Sequence, residues 1–390
     1  MRMARSWIAP VVVTAAVAGT AALSVAAAGP FTAARATVLP AAETGTAAAG
    51  GAGWQVVAKV GPANGLADDS ISGSVSARGT KAAWAVWPGK GPALVDRWTG
   101  AKWVQVSVPA KLSPYIASTA AFDGQAGYLW LFSSYRPGQA LLYSGGKWTV
   151  EKIPAWVLRK QTAGGGYNVT TAVFGQTSVW VFSLGSASSA KGSYAAHYNG
   201  KSWAKVKLPA PAVAVAADAA NDIWALGPAS IMHWTPGHGW QTVKFPAAPT
   251  GVLPADGLTY TGITATSAKD VSLTAELTDS ADAAKDTWFV QHWNGKSWGF
   301  VKGPGNFAGD VAPDGQGGLW AETAEDNPGG FWTLYHRSGG KWTSAKLPSG
   351  LWTQSPLTLT QVPGTRSLWA TGVQLPTQTG GKGLILRYNP

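Results

Sequence analysis

The segment Asn294-Gly295-Lys296-Ser297-Trp298, with Pro304 six residues after the tryptophan, decides the fold because the chain repeats it. Asn199-Gly200-Lys201-Ser202-Trp203 followed by Pro209 is a second copy. The six tryptophans that have a proline six residues later are Trp103, Trp148, Trp203, Trp240, Trp298 and Trp342. Trp54 is a seventh copy without the proline. Successive copies from Trp103 onward lie 37 to 58 residues apart, which indicates one supersecondary unit repeated along the chain.

Each unit reads as four short β-strands separated by turn residues. The clearest example predicts strands at Val213–Ala216, Ile223–Leu226, Ser230–Trp234 and Trp240–Phe245. Large apolar residues alternate with smaller ones in these runs, as in strands packed between two sheets. Four antiparallel strands per unit of this length predict the blades of a β-propeller, an all-β fold.

The two ends of the chain set the number of blades. The final segment, Gly383–Pro390, matches a third strand and stops before a fourth. Trp54–Val60 matches a fourth strand with no first three before it. We therefore predict that the N-terminal strand completes the C-terminal blade and leaves no open edge. Counting the seven repeat tryptophans predicts one seven-bladed propeller over residues 54–390.

The N-terminal residues have the pattern of a secretory signal. Arg2 and Arg5 precede an apolar, alanine-rich run, and small residues permit cleavage after Ala28 or after Ala36, so the signal is assigned to residues 1–36. An uncleaved membrane anchor is the alternative, because the apolar run is long enough to span a bilayer. Residues 37–53 are predicted to be a flexible Ala/Gly/Thr leader. We expect a secreted, extracellular protein whose fold does without disulfides, since the chain has no cysteine.

The net charge of +11 has two interpretations. Lysines such as Lys201, Lys205 and Lys207 recur at fixed repeat positions, and lysine along an outermost strand prevents edge-to-edge aggregation. Contact with anionic wall polymers or acidic glycans is the second interpretation. We expect no nucleic-acid partner, membrane contact only if the signal is uncleaved, and a monomer.

The histidines belong mostly to the repeat. His197, His233, His292 and His336 share one repeat position, which other units fill with arginine or leucine. Such a position is structural, so a Ser-His-Asp site or a histidine metal centre is not expected.

Aromatic residues outside the repeat indicate a binding surface. Of the tryptophans after the predicted signal, sixteen fall in register and five do not: Trp87, Trp156, Trp288, Trp332 and Trp352. All five lie in or beside the connections of variable length, from fourth strand to next first strand and from second to third, which open on one face. With Tyr135, Tyr167, Arg136 and Arg159 they are the predicted ligand-binding residues. We expect Trp87, Trp156 and Trp352 to be exposed, whereas Trp288 and Trp332 have the alternative of starting a third strand and packing.

The pattern Val-Trp-Ala-x-Gly, then His-Trp-Asn-Gly-x-x-Trp, then Pro resembles the Trp-rich propeller repeats of secreted actinobacterial proteins, from Trp54 to Pro390. It is more distantly similar to the Asp-box repeats of sialidases and to kelch repeats. The resemblance implies a propeller and secretion, and it implies no reaction. Sialidases gather three arginines around an acidic sugar, whereas here only Arg136 and Arg159 fall on the variable face outside the repeat, which disfavours that activity.

These observations leave two functional hypotheses. We favour a non-enzymatic binding propeller that recognises a glycan, a cell-wall polymer or a protein through its variable face. The alternative is a polysaccharide-cleaving enzyme, a glycoside hydrolase or lyase, for which Asp310 and Glu322 are the pair to test. No cofactor is expected. A calcium site at Asp279, Asp282 and Asp286 is a weaker hypothesis, based on their carboxylate oxygens.

Overall fold

A computed structural model gives the fold of the chain. It describes residues 14–15, 53–60, 73–87, 94–117, 119–125, 127–133, 136, 138–157, 169–183, 193–246, 258–277, 286–324, 332–349, 351, 357–374 and 383–390. Apart from residues 14–15, the predicted signal lies outside these residues, as does the predicted leader except for residue 53. Within them no helix combines the length and apolarity needed to cross a membrane.

Seven blades of four antiparallel strands each form a β-propeller, as predicted, and the sheet of blade 5 has one additional short strand. Blade 1 contains β3 (Ser74–Gly79), β4 (Ala82–Trp87), β5 (Leu94–Trp98) and β6 (Trp103–Gln105). Blade 2 contains β7 (Thr119–Gln125), β8 (Tyr128–Ser133), β9 (Gln139–Ser144) and β10 (Lys147–Lys152). Blade 3 contains β11 (Val169–Gly175), β12 (Ser178–Ser183), β13 (Tyr194–Tyr198) and β14 (Trp203–Lys207). Blade 4 contains β15 (Ala214–Ala219), β16 (Asp222–Leu226), β17 (Ile231–Thr235) and β18 (Gly239–Val243). Blade 5 contains β19 (Leu258–Ser267), β20 (Asp270–Leu277), β21 (Thr287–Trp293) and β22 (Trp298–Lys302). Blade 6 contains β23 (Phe307–Pro313), β24 (Leu319–Ala324), β25 (Trp332–Ser338) and β26 (Lys341–Ser344).

Blade 7 is built from both ends of the chain. It contains β27 (Thr358–Gln361), β28 (Leu368–Val373), β29 (Gly383–Asn389) and, as its outer strand, β2 (Gly53–Val60). β2 pairs with β29 so that Trp54 faces Tyr388 and Val60 faces Gly383. The predicted closure is therefore confirmed, and the ring is joined by backbone hydrogen bonds within one sheet.

The position of a strand within its blade sets its burial. Second strands such as β4, β24 and β28 are buried at every residue, because each lies inside its own sheet and between two neighbouring blades. Fourth strands form the outer edge, where Lys147, Lys205 and Lys302 are exposed. This placement fits the interpretation of the lysines as residues that protect an edge strand.

The histidine register is also confirmed. His197, His233 and His336 pair directly with the second-strand tryptophans Trp180, Trp224 and Trp320. Each imidazole stacks on its indole, with ring centroids 3.8 to 4.2 Å apart. Burial lowers the pKa of His197. These histidines are part of the packing of the blades.

Two features were not predicted. A single turn of 3-10 helix (Ala110–Leu112) and α1 (Ser113–Ala117) lie between blades 1 and 2, where Leu112 and Ile116 are buried in the core of that pair of blades. In addition, β1 (Thr14–Ala15) pairs in parallel with β19, the first strand of blade 5.

Candidate functional site

The variable face is the end of the propeller where fourth strands lead to the next blade and second strands lead to third strands. The predicted residues Trp352, Tyr135, Tyr167, Arg159, Asp279 and Asp282 lie outside the described residues. Trp87, Trp156, Trp288, Trp332, Arg136, Asp286, Asp310 and Glu322 are described.

Trp87 and Trp288 are core residues. Trp87 is 1% exposed, so the prediction that it is exposed is wrong. Its ring lies where a Cβ on Gly73 or Gly383 would come within 2.3 or 2.6 Å, which means that two glycines make room for it. Trp288 is 0% exposed and donates its indole N–H to the carbonyl of Pro304 at 2.8 Å. The alternative of a third-strand packing role is therefore correct for Trp288.

Trp156 forms an aromatic corner at the variable face. Its ring meets that of Tyr194 edge to face, with centroids 5.8 Å apart, and the Tyr194 hydroxyl donates to the Trp156 carbonyl. Lys205 places its ammonium 4.1 Å from the centre of the Tyr194 ring, a cation–π contact. Trp156 is half-buried, so one side of the corner packs on blade 3 while the rest remains accessible.

A second aromatic group lies one blade away. Tyr115, on α1, donates its hydroxyl to the side-chain amide oxygen of Gln139 at 2.6 Å. The guanidinium of Arg136 lies 5.3 Å from the centre of the Tyr115 ring and is exposed. A fixed ring with an exposed cation and an amide beside it suits stacking on a sugar ring and hydrogen bonding to its hydroxyls.

Trp332 starts β25 and is half-buried. Its ring lies against Gly309, where a Cβ would come within 2.9 Å of it. The indole nitrogen is buried and has no hydrogen-bond partner among the described residues. The structure thus gives Trp332 a packing role at the start of a third strand and leaves part of it accessible.

Asp310 and Glu322 join blade 6 to blade 7. Asp310 accepts a hydrogen bond from the backbone N–H of Leu359 at 2.6 Å, and Glu322 accepts from Leu357 at 2.8 and 3.0 Å. Burial raises the pKa of Asp310 to about 7, partly offset by the amides of Leu359 and Val311. Burial also raises the pKa of Glu322 well above its ordinary value, and the charge of Asp310 adds to this effect.

These two acids have one property of a catalytic pair and lack another. A raised pKa near neutrality suits a general acid. However, their exposed fractions are 6% and 2%, and both are bound to backbone amides. Their position is that of a structural link between blades.

Asp286 is half-buried, and its charge helps to raise the pKa of Glu276, for which burial is the larger cause. Among the described residues no group of three or more His, Cys, Asp or Glu side chains is arranged to hold a metal ion.

Sequence reasoning missed a polar cluster near the short-turn end of the central channel. Arg78 and Asp123 form a buried ion pair, and Asp123 also accepts from the Ser76 hydroxyl at 2.7 Å and the Val173 N–H at 2.8 Å. Arg78 further donates to the carbonyl of Ala217 at 3.1 Å. The cluster therefore joins the first strands of four blades. Its residues lie outside the repeat and far apart in sequence, so no periodic signal marks it.

The mouth of the channel at this end holds a cavity of about 240 Å³. Its lining includes Arg78, Thr264, Thr266, Gln361 and Thr365. It is polar and lies on the face opposite to the predicted binding surface.

The sequence matches no protein-family model and no curated protein. Several solved β-propellers are similar in structure. The structure titled "YCF48 bound to D1 peptide" is 13% identical, with 90% of this chain and 100% of that chain covered at a TM-score of 0.53. A six-bladed fucose-binding lectin of Aleuria aurantia is 14% identical, with 76% and 99% covered at 0.41. A GH74 xyloglucanase of Xanthomonas campestris is 16% identical, with 85% and 55% covered at 0.48. At 13% identity the first of these similarities shows the β-propeller fold and nothing beyond it.

Proposed function

We propose that the protein is an exported, non-enzymatic binding propeller that holds a glycan or cell-wall polymer on its variable face. A protein partner on the same face is the nearest variant. The observation that carries the proposal is the corner of Trp156, Tyr194 and Lys205, in which a half-buried indole, a phenol and an ammonium are already fixed relative to one another. Rings held before binding lose little conformational entropy when a ligand stacks on them.

The basic residues near these rings favour an anionic or hydroxyl-rich ligand. Arg136 is exposed above Tyr115, and the chain as a whole carries a net charge of +11. Positive charge attracts wall polymers that carry phosphate or carboxylate groups. The signal-like N-terminus and the Trp-rich repeats resembling those of secreted actinobacterial proteins agree with a location outside the cell.

Binding of the protein without its first 36 residues to insoluble peptidoglycan, chitin and cellulose tests the proposal. We expect retention on at least one polymer and a loss of about tenfold in affinity for Trp156→Ala, since an aromatic contact is worth on the order of 1 kcal/mol or more. Trp156→Leu keeps an apolar side chain without a ring and should lose a similar amount if stacking matters. Phe300→Ala removes an aromatic residue that is 41% exposed on the outer strand of blade 5 and serves as the control.

If Trp156→Ala binds as tightly as the unsubstituted protein, the proposed corner is not the site. If no polymer retains the protein, the glycan and wall-polymer ligands are wrong.

A polysaccharide-cleaving enzyme remains the second candidate because the pKa of Asp310 is raised to about 7. Reducing-end assays on a panel of polysaccharides, with and without chelator, separate the two functions. Turnover that is lost in Asp310→Asn and Glu322→Gln, with the fold retained, would favour the enzyme. We expect no turnover.

A further inference from the structure

The seams between blades follow one rule. The tryptophan on the second strand of one blade packs against an aromatic residue on the third strand of the next blade. That aromatic residue is the one that pairs with the repeat tryptophan of its own fourth strand. Ring contacts of this kind are Trp84–Tyr143, Trp130–Tyr198, Trp180–Trp234, Trp320–Tyr388 and Trp369–Trp98, with centroids 4.6 to 5.9 Å apart. Trp224 shares an apolar cluster with Trp293 at the seam of blades 4 and 5. Six of the seven seams are therefore filled by aromatic rings.

The seam between blades 5 and 6 breaks this rule at both positions. Ser272 pairs with His292 and thus stands where other blades have the tryptophan that pairs with the histidine. Arg337 pairs with Trp342 and stands in the aromatic position of the third strand. Across the outer strand, Gly299 faces His292. A serine and an arginine therefore replace the two aromatic rings found at the other seams, and Gly299 adds no side chain beside them.

A cavity of about 230 Å³ lies at this seam. Its lining includes Ser272, His292, Gly299, Leu319 and Arg337. Trp342 does not fill it, because its ring packs on Trp288 with centroids 5.9 Å apart. The cavity thus lies at the place where the repeat puts an indole ring.

Polar groups border the cavity. The contact between His292 and Asp270 belongs to the repeat, since His233–Asp222 and His336–Asp314 make it as well, whereas the open space over His292 is particular to this seam. His292 Nε2 lies 2.7 Å from the Asp270 carboxylate, and the two side chains are 31% and 36% exposed, so solvent reaches the site. The hydrogen bond from His292 lowers the pKa of Asp270 and offsets the cost of its partial burial. Arg337 Nε is buried and has no hydrogen-bond partner among the described residues. A buried donor without a partner is unfavourable until an acceptor reaches it.

We propose that this seam cavity is a binding site for a planar aromatic ring that carries a carboxylate. The ring lies over the His292 imidazole, as Trp180, Trp224 and Trp320 lie over their own histidines. The carboxylate accepts hydrogen bonds from the Arg337 guanidinium, and the Ser272 hydroxyl lies at the edge of the site. This site is separate from the variable face and independent of the function proposed for it.

Titration calorimetry and saturation-transfer NMR with indole-3-acetate and neutral indole test the proposal. We expect saturable binding of indole-3-acetate to the folded protein and weaker binding of indole. Ser272→Trp restores the ring of the other blades, so it should abolish binding and raise the melting temperature. Arg337→Met should weaken indole-3-acetate by about tenfold or more, the value of a hydrogen bond to a charged group, and leave indole unchanged.

Gly299→Val keeps the proposal testable if Ser272→Trp fails to fold. Blade 1 has Val104 at this position, and a Cβ on Gly299 meets nothing closer than the His292 carbonyl at 3.8 Å, so the fold should accept it while the cavity narrows. Thr343→Val is the matched control, because Thr343 faces His336 in blade 6, where Trp320 is present. Absence of saturable indole-3-acetate binding to the unsubstituted protein overturns the proposal, and so does unchanged binding to Gly299→Val.

Discussion

The carboxylate of Asp123 and those of Asp310 and Glu322 do the same structural work in different electrostatic surroundings. Each accepts a backbone N–H from the first strand or strand entry of the next blade: Val173 in the first case, Leu359 and Leu357 in the second. Asp123 also contacts Arg78, whereas burial without a cation raises the pKa of Asp310 to about 7. The charge of Asp123 is balanced by the Arg78 guanidinium, whereas Asp310 avoids a buried charge by holding a proton. Only the stability contributed by the Asp310 link should therefore change with pH near neutrality.

The same substitution at the two links gives the largest expected contrast. Asp123→Asn leaves Arg78 buried without a counter-charge and should cost about 3–5 kcal/mol of unfolding free energy at pH 7. Asp310→Asn keeps an acceptor for the Leu359 N–H and removes a group whose charged form is unfavourable, so its cost should stay under about 1 kcal/mol. Urea denaturation of the two variants measures the difference.

Two arginines on the same face provide the control. Arg78→Leu should cost about as much as Asp123→Asn, because it strands the carboxylate instead. Arg366 is exposed in the turn between β27 and β28, and Arg366→Leu should change the unfolding free energy by no more than about 0.5 kcal/mol. Equal costs at Arg78 and Arg366 would show that the ion pair does not hold the blades together.

The sequence predicts the contacts that recur from blade to blade, because the repeat fixes the register of the strands. Trp54 pairing with Tyr388 and His197 pairing with Trp180 follow from register, and both are found. The two carboxylate links are outside the repeat: Arg78 and Asp123 are 45 residues apart, and no local pattern brings them together.

Asp310 shows why the predicted catalytic pair could not be evaluated from sequence. Position on a first strand does not reveal that the neighbouring blade covers it and supplies the N–H of Leu359. The burial of Trp87 could not be predicted for a related reason. The space for its ring is made by Gly73 and by Gly383, and Gly383 is about 300 residues away in the sequence.

A pH titration of stability gives the next largest effect. The carboxyl of Asp310 has a folded pKa of about 7 against 3.8 ordinarily, so the folded state binds more protons between these values. Its stabilising contribution is therefore complete below about pH 3.8 and is lost as the pH rises toward 7. Lowering the pH from 7 to 5 should raise the unfolding free energy by about 1–3 kcal/mol through this group, at up to about 1.4 kcal/mol per pH unit.

The measurement is the difference between the unsubstituted protein and Asp310→Asn at each pH. Other groups change over the same interval: the lowered pKa of His197 acts in the opposite direction, and the pKa of Asp96, which burial raises to about 7, acts in the same direction. Both remain in the variant, so their contributions cancel. Glu322 does not cancel, because the charge of Asp310 helps to raise its pKa, so the difference reports Asp310 together with its effect on Glu322. Parallel stability curves for the two proteins would contradict the assignment of a proton-balanced link.

Salt should have the smallest effect, and it tests whether the ion pair of Arg78 and Asp123 is shielded from solvent. The side chains of Arg78 and Asp123 are 9% and 0% exposed, and ions screen buried pairs much less than exposed ones. A double-mutant cycle of Arg78→Leu and Asp123→Asn isolates their coupling from the general repulsion within a chain of net charge +11, which salt also relieves. We expect the coupling free energy to change by less than about 0.5 kcal/mol between 0.05 and 0.5 M NaCl, because dissolved ions screen the attraction between charges mainly where solvent separates them. A coupling that falls to zero in high salt would mean that solvent enters between the first strands, and the link would then be a surface ion pair of little consequence for the ring.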